Sequence, residues 1–297
     1  MAWTAANIPA QKGRTFIVTG ANSGLGYVTA LELARHGARV VLAVRSTEKG
    51  DDAAGRIRRA VPDASLEVRK VDLADLDSVR AFAEGIDALD VLVNNAGIMM
   101  PPRSLTKQGY ELQLGSNHLG HFALTALLYP KLNRETGRVV TVTSDMHRVG
   151  KIHFDDLDGE RRYSPTDAYA QSKLANVLFG LELHRRLTAK GSRVKSLLAH
   201  PGYSDTPLQG KDATGVTKRV LRLGSRLLAQ TVEMGALGQL FAAVSPDLRG
   251  GELVGPDGFQ ALRGHPKVLA PSSTGRDPEV ARRLWDISEQ RTVRFEV

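Results

Sequence analysis

Short runs of β-branched and apolar residues alternate with longer segments of helical periodicity along most of this chain. Near-continuous runs such as Val91-Leu92-Val93 are typical of strands that are covered on both faces. The predicted strands are Thr15–Thr19, Arg39–Val44, Leu66–Val71, Val91–Asn94, Arg138–Thr143 and Val194–Ala199, with Gly251–Leu253 as a candidate seventh. The predicted helices between them are Leu25–His36, a stretch within Asp52–Ala60, Ser78–Glu84, Gly109–Leu132 and Pro165–Lys190. This alternation predicts an α/β fold with a doubly wound parallel sheet of about seven strands flanked by helices.

The chain contains no internal repeat, no low-complexity tract and no Pro/Ser-rich linker, so residues 1–297 are expected to form one domain. The least regular segment, 203–231, follows a Pro-Gly break and contains the basic amphipathic stretch Thr217–Leu228. A long segment of this kind is a candidate substrate lid, although an ordinary surface helix with a charged face explains it equally well. Near the end of the chain, Trp285 within Ala281–Ser288 is expected to anchor a helix against the core.

The composition argues against several classes of protein. Lys and Arg number 40 and Asp and Glu 32, a formal charge of +8, but the charges are dispersed and aromatic residues make up only 5%. That is too few for a base-stacking surface, so nucleic-acid binding is not expected. No apolar run is long enough to span a bilayer, and Met1–Lys12 does not resemble a secretory signal. The absence of cysteine excludes disulfides and thiolate chemistry and favours a cytoplasmic location.

A glycine-rich turn follows the first predicted strand. Glycine permits backbone angles closed to other residues and lets the chain approach a pyrophosphate closely, while the following helix directs free N–H groups at that phosphate. Between a first strand and a first helix, the pattern favours nucleotide binding over a tight turn that only connects the two elements. The residues of this turn expected to contact a dinucleotide are Gly20, Asn22, Ser23, Gly24, Leu25 and Gly26.

Arg45 stands at the end of the second predicted strand. An acidic residue there would accept hydrogen bonds from the adenosine ribose and favour NAD, whereas arginine offers a permanently charged fork for a 2′-phosphate. Lys49, four residues on, is a second candidate for that phosphate. The sequence therefore predicts NADP(H) as the cofactor, with an exposed arginine of no special role as the alternative.

The third and fourth predicted strands also end in candidate cofactor contacts. Asp72, followed by Leu73, could accept from the adenine amino group or could simply cap the next helix. Asn95, Ala96 and Gly97 follow the fourth strand, where small and amide residues can line the cofactor and brace the sheet.

Tyr169 and Lys173 lie four positions apart in a helical segment, so both side chains point from one face of that helix. A nearby ammonium favours tyrosinate and is expected to lower the pKa of the phenol from about 10 toward neutrality. Such a phenol is a suitable general acid for carbonyl reduction or a general base for alcohol oxidation. The pair by itself is a weak signal, because this spacing also arises by chance on helix surfaces.

Two further polar residues strengthen the pair. Ser144 ends the fifth predicted strand, at the edge where open α/β sheets bind ligands, and its hydroxyl could stabilise charge on a reacting oxygen. Asn117 lies inside a predicted helix, where an amide is a poor helix former. It is interpreted as the holder of a water on a proton path from Lys173, with an exposed helix-surface residue as the alternative.

These motifs occur in a fixed order along the chain. They are Thr19-Gly20-x-x-x-Gly24-x-Gly26, Asn94-Asn95-Ala96-Gly97, Asn117, Ser144, Tyr169-x-x-x-Lys173 and Pro201-Gly202. Over roughly residues 13–260 the set resembles the short-chain dehydrogenase/reductase family, a Rossmann fold. The runs Glu111–Phe122 and Ser172–Asn176, and the long interval between Ser144 and Tyr169, resemble the retinol dehydrogenase and protochlorophyllide reductase branch.

The resemblance implies a role for each catalytic residue. Tyr169 would transfer the proton, Lys173 would bind the nicotinamide ribose and depress the tyrosine pKa, Ser144 would orient the substrate carbonyl and Asn117 would hold the relay water. It further implies that Pro201 and Gly202 shape the nicotinamide pocket and that Thr206 lies near the carboxamide or pyrophosphate.

The expected activity is an NADP(H)-dependent hydride transfer to or from a small-to-medium lipophilic carbonyl or alcohol, without a metal. The resemblance also allows a homodimer or homotetramer. Departures from the branch are the short, polar Met1–Lys12, where retinol dehydrogenases often carry a membrane anchor, and Ala170-Gln171, which replace a cysteine common near the tyrosine. The branch therefore does not define the substrate.

Two alternatives from other classes stay open. A non-catalytic NADP(H)-binding sensor would bind the cofactor without turnover, and usually has a degraded catalytic group. A nucleotide-sugar epimerase or dehydratase shares the Tyr-x-x-x-Lys pair but usually needs a larger C-terminal substrate domain.

Overall fold

The computed structural model describes residues 2–203 and 230–297. In these residues eight strands form one sheet in the order β3-β2-β1-β4-β5-β6-β7-β8. The strands are β1 Thr15–Thr19, β2 Arg39–Val44, β3 Ser65–Lys70, β4 Val91–Asn94, β5 Arg138–Val142, β6 Lys195–Ala199, β7 Leu253–Pro256 and β8 Pro266–Leu269. Neighbouring strands run parallel except β7 and β8, which are antiparallel. The predicted α/β architecture with a doubly wound, mostly parallel sheet is confirmed.

Helices cover both faces of the sheet. They are α1 Gly24–Arg35, α2 Thr47–Ala60, α3 Leu76–Glu84, α4 Leu112–Leu114, α5 Gly120–Leu128, α6 Pro165–Ala189, α7 Val232–Val244 and α8 Pro278–Arg291. One core packs α1, α2 and α7 against the sheet through residues such as Leu33, Ile57 and Leu240. The other packs α3, α5, α6 and α8 against the opposite face. Among the described helices, none is long and apolar enough to cross a membrane.

The first six strand predictions hold with shifts of no more than one residue at either end, whereas the seventh is displaced and an eighth strand is present. The candidate seventh strand lies at Leu253–Pro256 rather than Gly251–Leu253, because Gly251 adopts a left-handed φ of 80° and forms the turn before it. The eighth strand, Pro266–Leu269, was not predicted. It lies at the edge of the sheet and its middle residues are exposed, so it lacks the apolar run that marks a covered strand.

The prediction of one continuous helix over Gly109–Leu132 was wrong. The helical path begins only at Leu112, because both carboxylate oxygens of Glu111 accept from backbone N–H groups, Gln113 at 2.9 Å and Leu114 at 2.7 Å. Between α4 and α5 the chain makes one wide π-type turn, Gly115–Leu119. Asn117 sits in the middle of that turn, buried, and is not the exposed helix-surface residue of the alternative interpretation.

Aromatic side chains fix the last helix, as predicted for Trp285. Its ring is stacked on Phe179 of α6 and on Phe295, with centroids 5.9 and 5.0 Å apart, and meets Phe122 of α5 edge-on at 5.0 Å. The aromatic cluster of Phe122, Phe179, Trp285 and Phe295 therefore joins α5, α6 and the C-terminal segment. Most of the candidate lid 203–231, including Thr217–Leu228, lies outside the described residues.

Candidate active site

The site lies where the sheet changes winding direction. The chain proceeds from β1 outward through β2 and β3, and then crosses back to β4 on the other side of β1. The carboxyl ends of β1 and β4 therefore open into a crevice, the position at which doubly wound sheets bind their ligands.

The glycine-rich turn forms one wall of this crevice. Gly20 and Gly24 adopt left-handed φ angles of 68° and 54°, which glycine accepts without steric penalty. A Cβ on Gly26 would lie 2.4 Å from the Gly20 carbonyl oxygen, so only glycine lets the first turn of α1 approach the end of β1 this closely. The N-terminus of α1 thus lies directly behind the turn, as an anion-binding cradle requires.

Several exposed cations lie beside the carboxyl end of β2. Arg45 follows β2 and is exposed, and Lys49 is exposed in the first turn of α2. Beside the glycine-rich turn lies an open depression of about 670 Å³, lined by Asn22, Ser23, Lys49, Asp51, Asp52, Gly55, Arg56 and Arg59. Arg56 was not predicted as a site residue; it donates to the Asn22 carbonyl at 3.2 Å. The sequence marks Arg56 only as one of the basic residues clustered between Arg56 and Arg59.

Asp72 and Leu73 are neighbours in sequence but have different surroundings in the structure. Asp72 accepts from the Ala74 backbone N–H at 2.9 Å in the turn before α3, so it does not cap the helix as the alternative interpretation held. The helix cap itself is Asp75, which accepts from Asp77 N–H at 3.0 Å. Leu73 is buried under α5, where a Cβ on Gly120 would lie 2.4 Å from the Leu73 carbonyl oxygen.

Ser144, Tyr169 and Lys173 come together at the carboxyl end of β5. The Ser144 hydroxyl lies close enough to the Tyr169 hydroxyl to favour its ionised form. The Lys173 side chain is only 5% exposed, and its Nζ lies 5.6 Å from the centroid of the Tyr169 ring. α6 presents both residues from one face because it begins cleanly at Pro165, with the Ser164 hydroxyl accepting from Asp167 N–H at 3.3 Å.

The pKa of Tyr169 differs from the expectation. Burial raises the pKa of the phenol, and the neighbouring Ser144 hydroxyl opposes this only in part. Burial also lowers the pKa of the Lys173 ammonium to about 8. Both shifts have one cause, because a low-dielectric surrounding disfavours whichever form carries charge. In this structure desolvation thus outweighs the predicted stabilisation of tyrosinate by Lys173.

Asn117 connects this group to the end of β4. Its Oδ1 accepts from the Ile98 N–H at 2.8 Å, and its Nδ2 donates to the Ile98 carbonyl at 3.0 Å and to the Ser172 hydroxyl at 2.9 Å. A Cβ on Gly97 would lie 3.2 Å from Asn117 Oδ1 and 3.5 Å from Lys173 Nζ. The wide turn in the helical path therefore brings Asn117 beside Lys173, as the interpretation of a shared proton path requires.

The turn after β6 lies at the same edge of the sheet as Ser144, because β6 runs parallel to β5. Gly202 has a left-handed φ of 65°, and a Cβ there would lie 2.4 Å from the Leu262 carbonyl oxygen. Gln230 Nε2 donates to the Pro201 carbonyl at 2.5 Å. Thr206, the remaining predicted contact on this turn, lies outside the described residues.

Two buried glutamines support the site and were not predicted. Gln239 of α7 donates to the Thr29 hydroxyl at 2.5 Å and to Asn95 Oδ1 at 3.2 Å, which ties α7 to α1 and to the end of β4. Gln113 accepts from the N–H of Met100 at 2.8 Å and so supports that residue in a left-handed conformation, with a φ of 53°. A lone glutamine within an apolar helical pattern was the available signal for each.

Fold and crevice together define a dinucleotide-binding protein of the Rossmann type. A family model described as short chain dehydrogenase matches residues 14–216. Human retinol dehydrogenase 11 is 42% identical over 281 residues, covering 93% of this chain and 85% of that protein. Mouse polyprenol dehydrogenase is 43% identical over 288 residues, covering 94% and 83%. A solved structure of an uncharacterized protein from Mycobacterium Paratuberculosis is 47% identical, with a TM-score of 0.85 and 100% of both chains covered.

The chain belongs to the short-chain dehydrogenase family, and its relatives include the retinol dehydrogenases. The family is one of oxidoreductases that use NAD(P)(H). The predicted family and branch are therefore confirmed, while the roles of individual residues and the choice between NADP and NAD stay predictions.

Proposed function

We propose that this protein is an NADP(H)-dependent oxidoreductase that acts on the carbonyl or alcohol group of a small-to-medium lipophilic substrate, with Tyr169 as general acid and base. The observation that carries the proposal is the meeting of Ser144, Tyr169 and Lys173 at the same sheet edge as the glycine-rich turn. Nucleotide cradle and acid–base group then face one crevice, which is the arrangement that hydride transfer needs.

The residues present fit the cofactor. Gly26 leaves the space that a pyrophosphate-binding turn requires, since a Cβ there would meet the Gly20 carbonyl. Arg45 and Lys49 supply exposed cations at the adenosine end, where NAD binding would call for an acid. Asn95, Ala96 and Gly97 border the cradle, Lys173 would hold the nicotinamide ribose, and bound NADP(H) would supply or accept the hydride.

The chain's own groups handle the proton. Ser144 donates a hydrogen bond to the substrate oxygen and stabilises the charge that develops there. Tyr169 gives its proton to that oxygen during reduction and takes it back during oxidation. The raised pKa of Tyr169 keeps the phenol protonated near neutral pH, which suits it to the reductive direction. Lys173 and Asn117 form the path by which the phenol is reprotonated from solvent.

The substrate class follows from the relatives and from the wall of the crevice. The relatives named above are dehydrogenases of retinol and of polyprenol, both lipophilic alcohols. In this chain Ile98, Met99 and Met100 follow β4 next to Asn117, and the Met100 sulfur lies 3.8 Å from the hydroxyl of Thr166, one turn before Tyr169. A lipophilic aldehyde, ketone or alcohol is therefore the substrate expected beside the phenol.

The test is oxidation of NADPH over a panel of lipophilic aldehydes, ketones and quinones by the wild-type protein and by Tyr169→Phe. Loss of the phenolic proton should lower kcat by about 100-fold or more. Tyr110→Phe is the matched control, because the Tyr110 hydroxyl donates to the Arg291 carbonyl, remote from the crevice chemistry. Its kcat should stay within about threefold of wild type.

Two outcomes would contradict the proposed function. Tight NADPH binding with no turnover of any panel member would favour the sensor over the enzyme. Turnover by Tyr169→Phe within a few-fold of wild type would show that another group transfers the proton.

A further inference from the structure

His121 lies between the two halves of the site and plays no part in the mechanism given so far. It is buried on α5, with its Nε2 3.0 Å from the Thr19 hydroxyl and its Nδ1 3.0 Å from the Asn117 carbonyl oxygen. Thr19 is the last residue before the glycine-rich turn, and Asn117 is the centre of the wide turn. One imidazole ring thus contacts both.

These contacts fix the tautomer of the ring. A carbonyl oxygen can only accept, so Nδ1 carries the hydrogen that points to Asn117. Nε2 of the neutral ring is then an acceptor, and the Thr19 hydroxyl donates to it at 3.0 Å in preference to the Val93 carbonyl, which lies farther away at 3.3 Å. The same hydroxyl oxygen accepts from the N–H groups of Asn95 and Ala96, both at 2.9 Å. Burial lowers the pKa of His121 to about 4, so the ring stays neutral across the working range.

A continuous chain of hydrogen bonds results. It begins at the backbone after β4, passes through the Thr19 hydroxyl and the His121 ring, and reaches the Asn117 carbonyl. The Asn117 amide then bonds to Ser172, the residue before Lys173. Each link is 3.0 Å or shorter, and each donor and acceptor in it is assigned.

We propose that His121 is a positioning residue that couples the phosphate-binding turn to Asn117. It would keep the nucleotide cradle and the proton path at a fixed position relative to each other. The proposal rests on the proposed function, since it takes the role of Asn117 from there. His121 itself touches neither substrate nor cofactor atoms in this scheme; it acts through Thr19 and Asn117.

His118, one turn earlier, provides the comparison. Its ring is equally buried, but its Nε2 lies 2.9 Å from the Ser288 hydroxyl of the C-terminal helix. It anchors α8 and has no contact with Thr19 or Asn117 among the described bonds. A purely structural role for buried histidines on this helical path would make the two substitutions equivalent.

The test uses two variants that each keep one half of the link. In His121→Asn the amide nitrogen can take the place of Nδ1 and still donate to Asn117, whereas in His121→Gln the longer amide can still accept from Thr19. Each should lower kcat by about tenfold or more, because small displacements of reacting groups have large effects. KM for the carbonyl should change by less than about threefold, since His121 does not contact the substrate. His118→Asn should lower Tm and leave kcat near that of wild type.

A second measurement does not depend on turnover. In ¹⁵N spectra the His121 ring should show hydrogen on Nδ1 and none on Nε2. Adenosine 2′,5′-bisphosphate, which fills only the adenosine end of the crevice, should shift the Asn117 side-chain amide signal in wild type and in His118→Asn. The shift should be lost in both His121 variants.

These results separate the two proposals. A kcat within about twofold of wild type in both His121 variants would overturn the coupling. A hydrogen on Nε2, or an Asn117 response that survives both substitutions, would overturn it as well. Absence of turnover by the wild-type protein would instead remove the enzymatic function, and the spectra would still decide whether the coupling exists.

Discussion

The side-chain amide of Asn95 donates to the carbonyl oxygen of Thr19 at 2.7 Å, and the Thr19 hydroxyl accepts from the Asn95 backbone N–H at 2.9 Å. Asn95 is the donor in both bonds, which join the end of β1 to the end of β4. Asn95 therefore braces the sheet with the amide that was also considered as a cofactor ligand. The brace explains why a cradle built from a flexible glycine-rich turn can still have one geometry.

Arg45 should decide the choice of cofactor. Arg45→Ala removes a charge-assisted contact to the 2′-phosphate, worth roughly 1.5–3 kcal/mol, so Kd for NADPH should rise about tenfold to 100-fold. Kd for NADH should stay near its wild-type value. Fluorescence titration with both nucleotides measures the two constants.

Arg58→Ala is the control for that experiment. Arg58 lies in the last turn of α2 and donates to the carbonyl of Leu66 near the start of β3, at the opposite edge of the sheet from Arg45. Equal loss of NADPH affinity in both variants would show that the overall charge of the protein, rather than a local contact, attracts the nucleotide.

Lys173 should reduce stability in the free protein. Its folded-state pKa of about 8 lies below the ordinary lysine value of 10.5, so the folded state disfavours its charge. Below pH 8 the folded protein carries the whole penalty, on the order of 3 kcal/mol, and between about pH 8 and pH 10.5 the penalty fades as the unfolded chain keeps a proton that the folded one has lost. Lys173→Met should accordingly have the higher Tm at pH 7 and lose this advantage toward pH 10.5. Thermal unfolding without nucleotide, followed by circular dichroism, checks this; a lower Tm of the variant at pH 7 would contradict it.

Buried histidines should make the fold sensitive to acid. Burial lowers the pKa of His118 to about 3 and those of His121 and His200 to about 4. Below about pH 6.5 the unfolded chain binds protons that the folded protein cannot, so stability should fall by up to about 1.4 kcal/mol per pH unit for each histidine. Urea unfolding between pH 7.5 and pH 5 measures the slope. His118→Gln should flatten it by one histidine's share, and an unchanged slope would assign the acid sensitivity to other groups.

Trp285 should be the main anchor of the C-terminal helix. Trp285→Ala opens a cavity among Phe122, Phe179 and Phe295 and should lower the free energy of unfolding by about 3–5 kcal/mol. Trp3→Ala is the matched control, because Trp3 is only partly buried and makes one edge-on contact with Phe241 at 5.1 Å. Similar losses in the two variants would mean that the aromatic cluster adds nothing beyond ordinary side-chain burial.

Much of the fold could be predicted because covered parallel strands leave long apolar runs. Such runs located β1, β2 and β4 to the residue. β8 escaped because an exposed edge strand needs no such run. The wide turn around Asn117 was not predicted. It changes the hydrogen-bonding pattern of the helix by a single residue, and a hydrophobic pattern averaged over many residues does not show so local a change.

Part of the candidate site could likewise be predicted from sequence, and part of it could not. Ser144, Tyr169 and Lys173 could be proposed from sequence because their residue types carry chemistry at fixed places along the chain. The direction of the Tyr169 pKa could not, since it depends on burial that only the packed structure defines. The roles of Gln113, Gln239 and His121 could not be predicted either. They depend on hydrogen bonds to residues far away in the sequence, which the local spacing of residue types does not identify.

The aromatic cluster of Phe122, Phe179, Trp285 and Phe295 has a consequence for biosynthesis. Two of its four rings belong to the last thirteen residues of this 297-residue sequence. A ribosome still holding those residues leaves α5 and α6 with an uncovered apolar face, although the nucleotide cradle near the N-terminus has long been made. Nascent chains of this protein should therefore need chaperone protection until Trp285 and Phe295 have left the ribosome, because domains complete their packing only when all contributing segments have emerged.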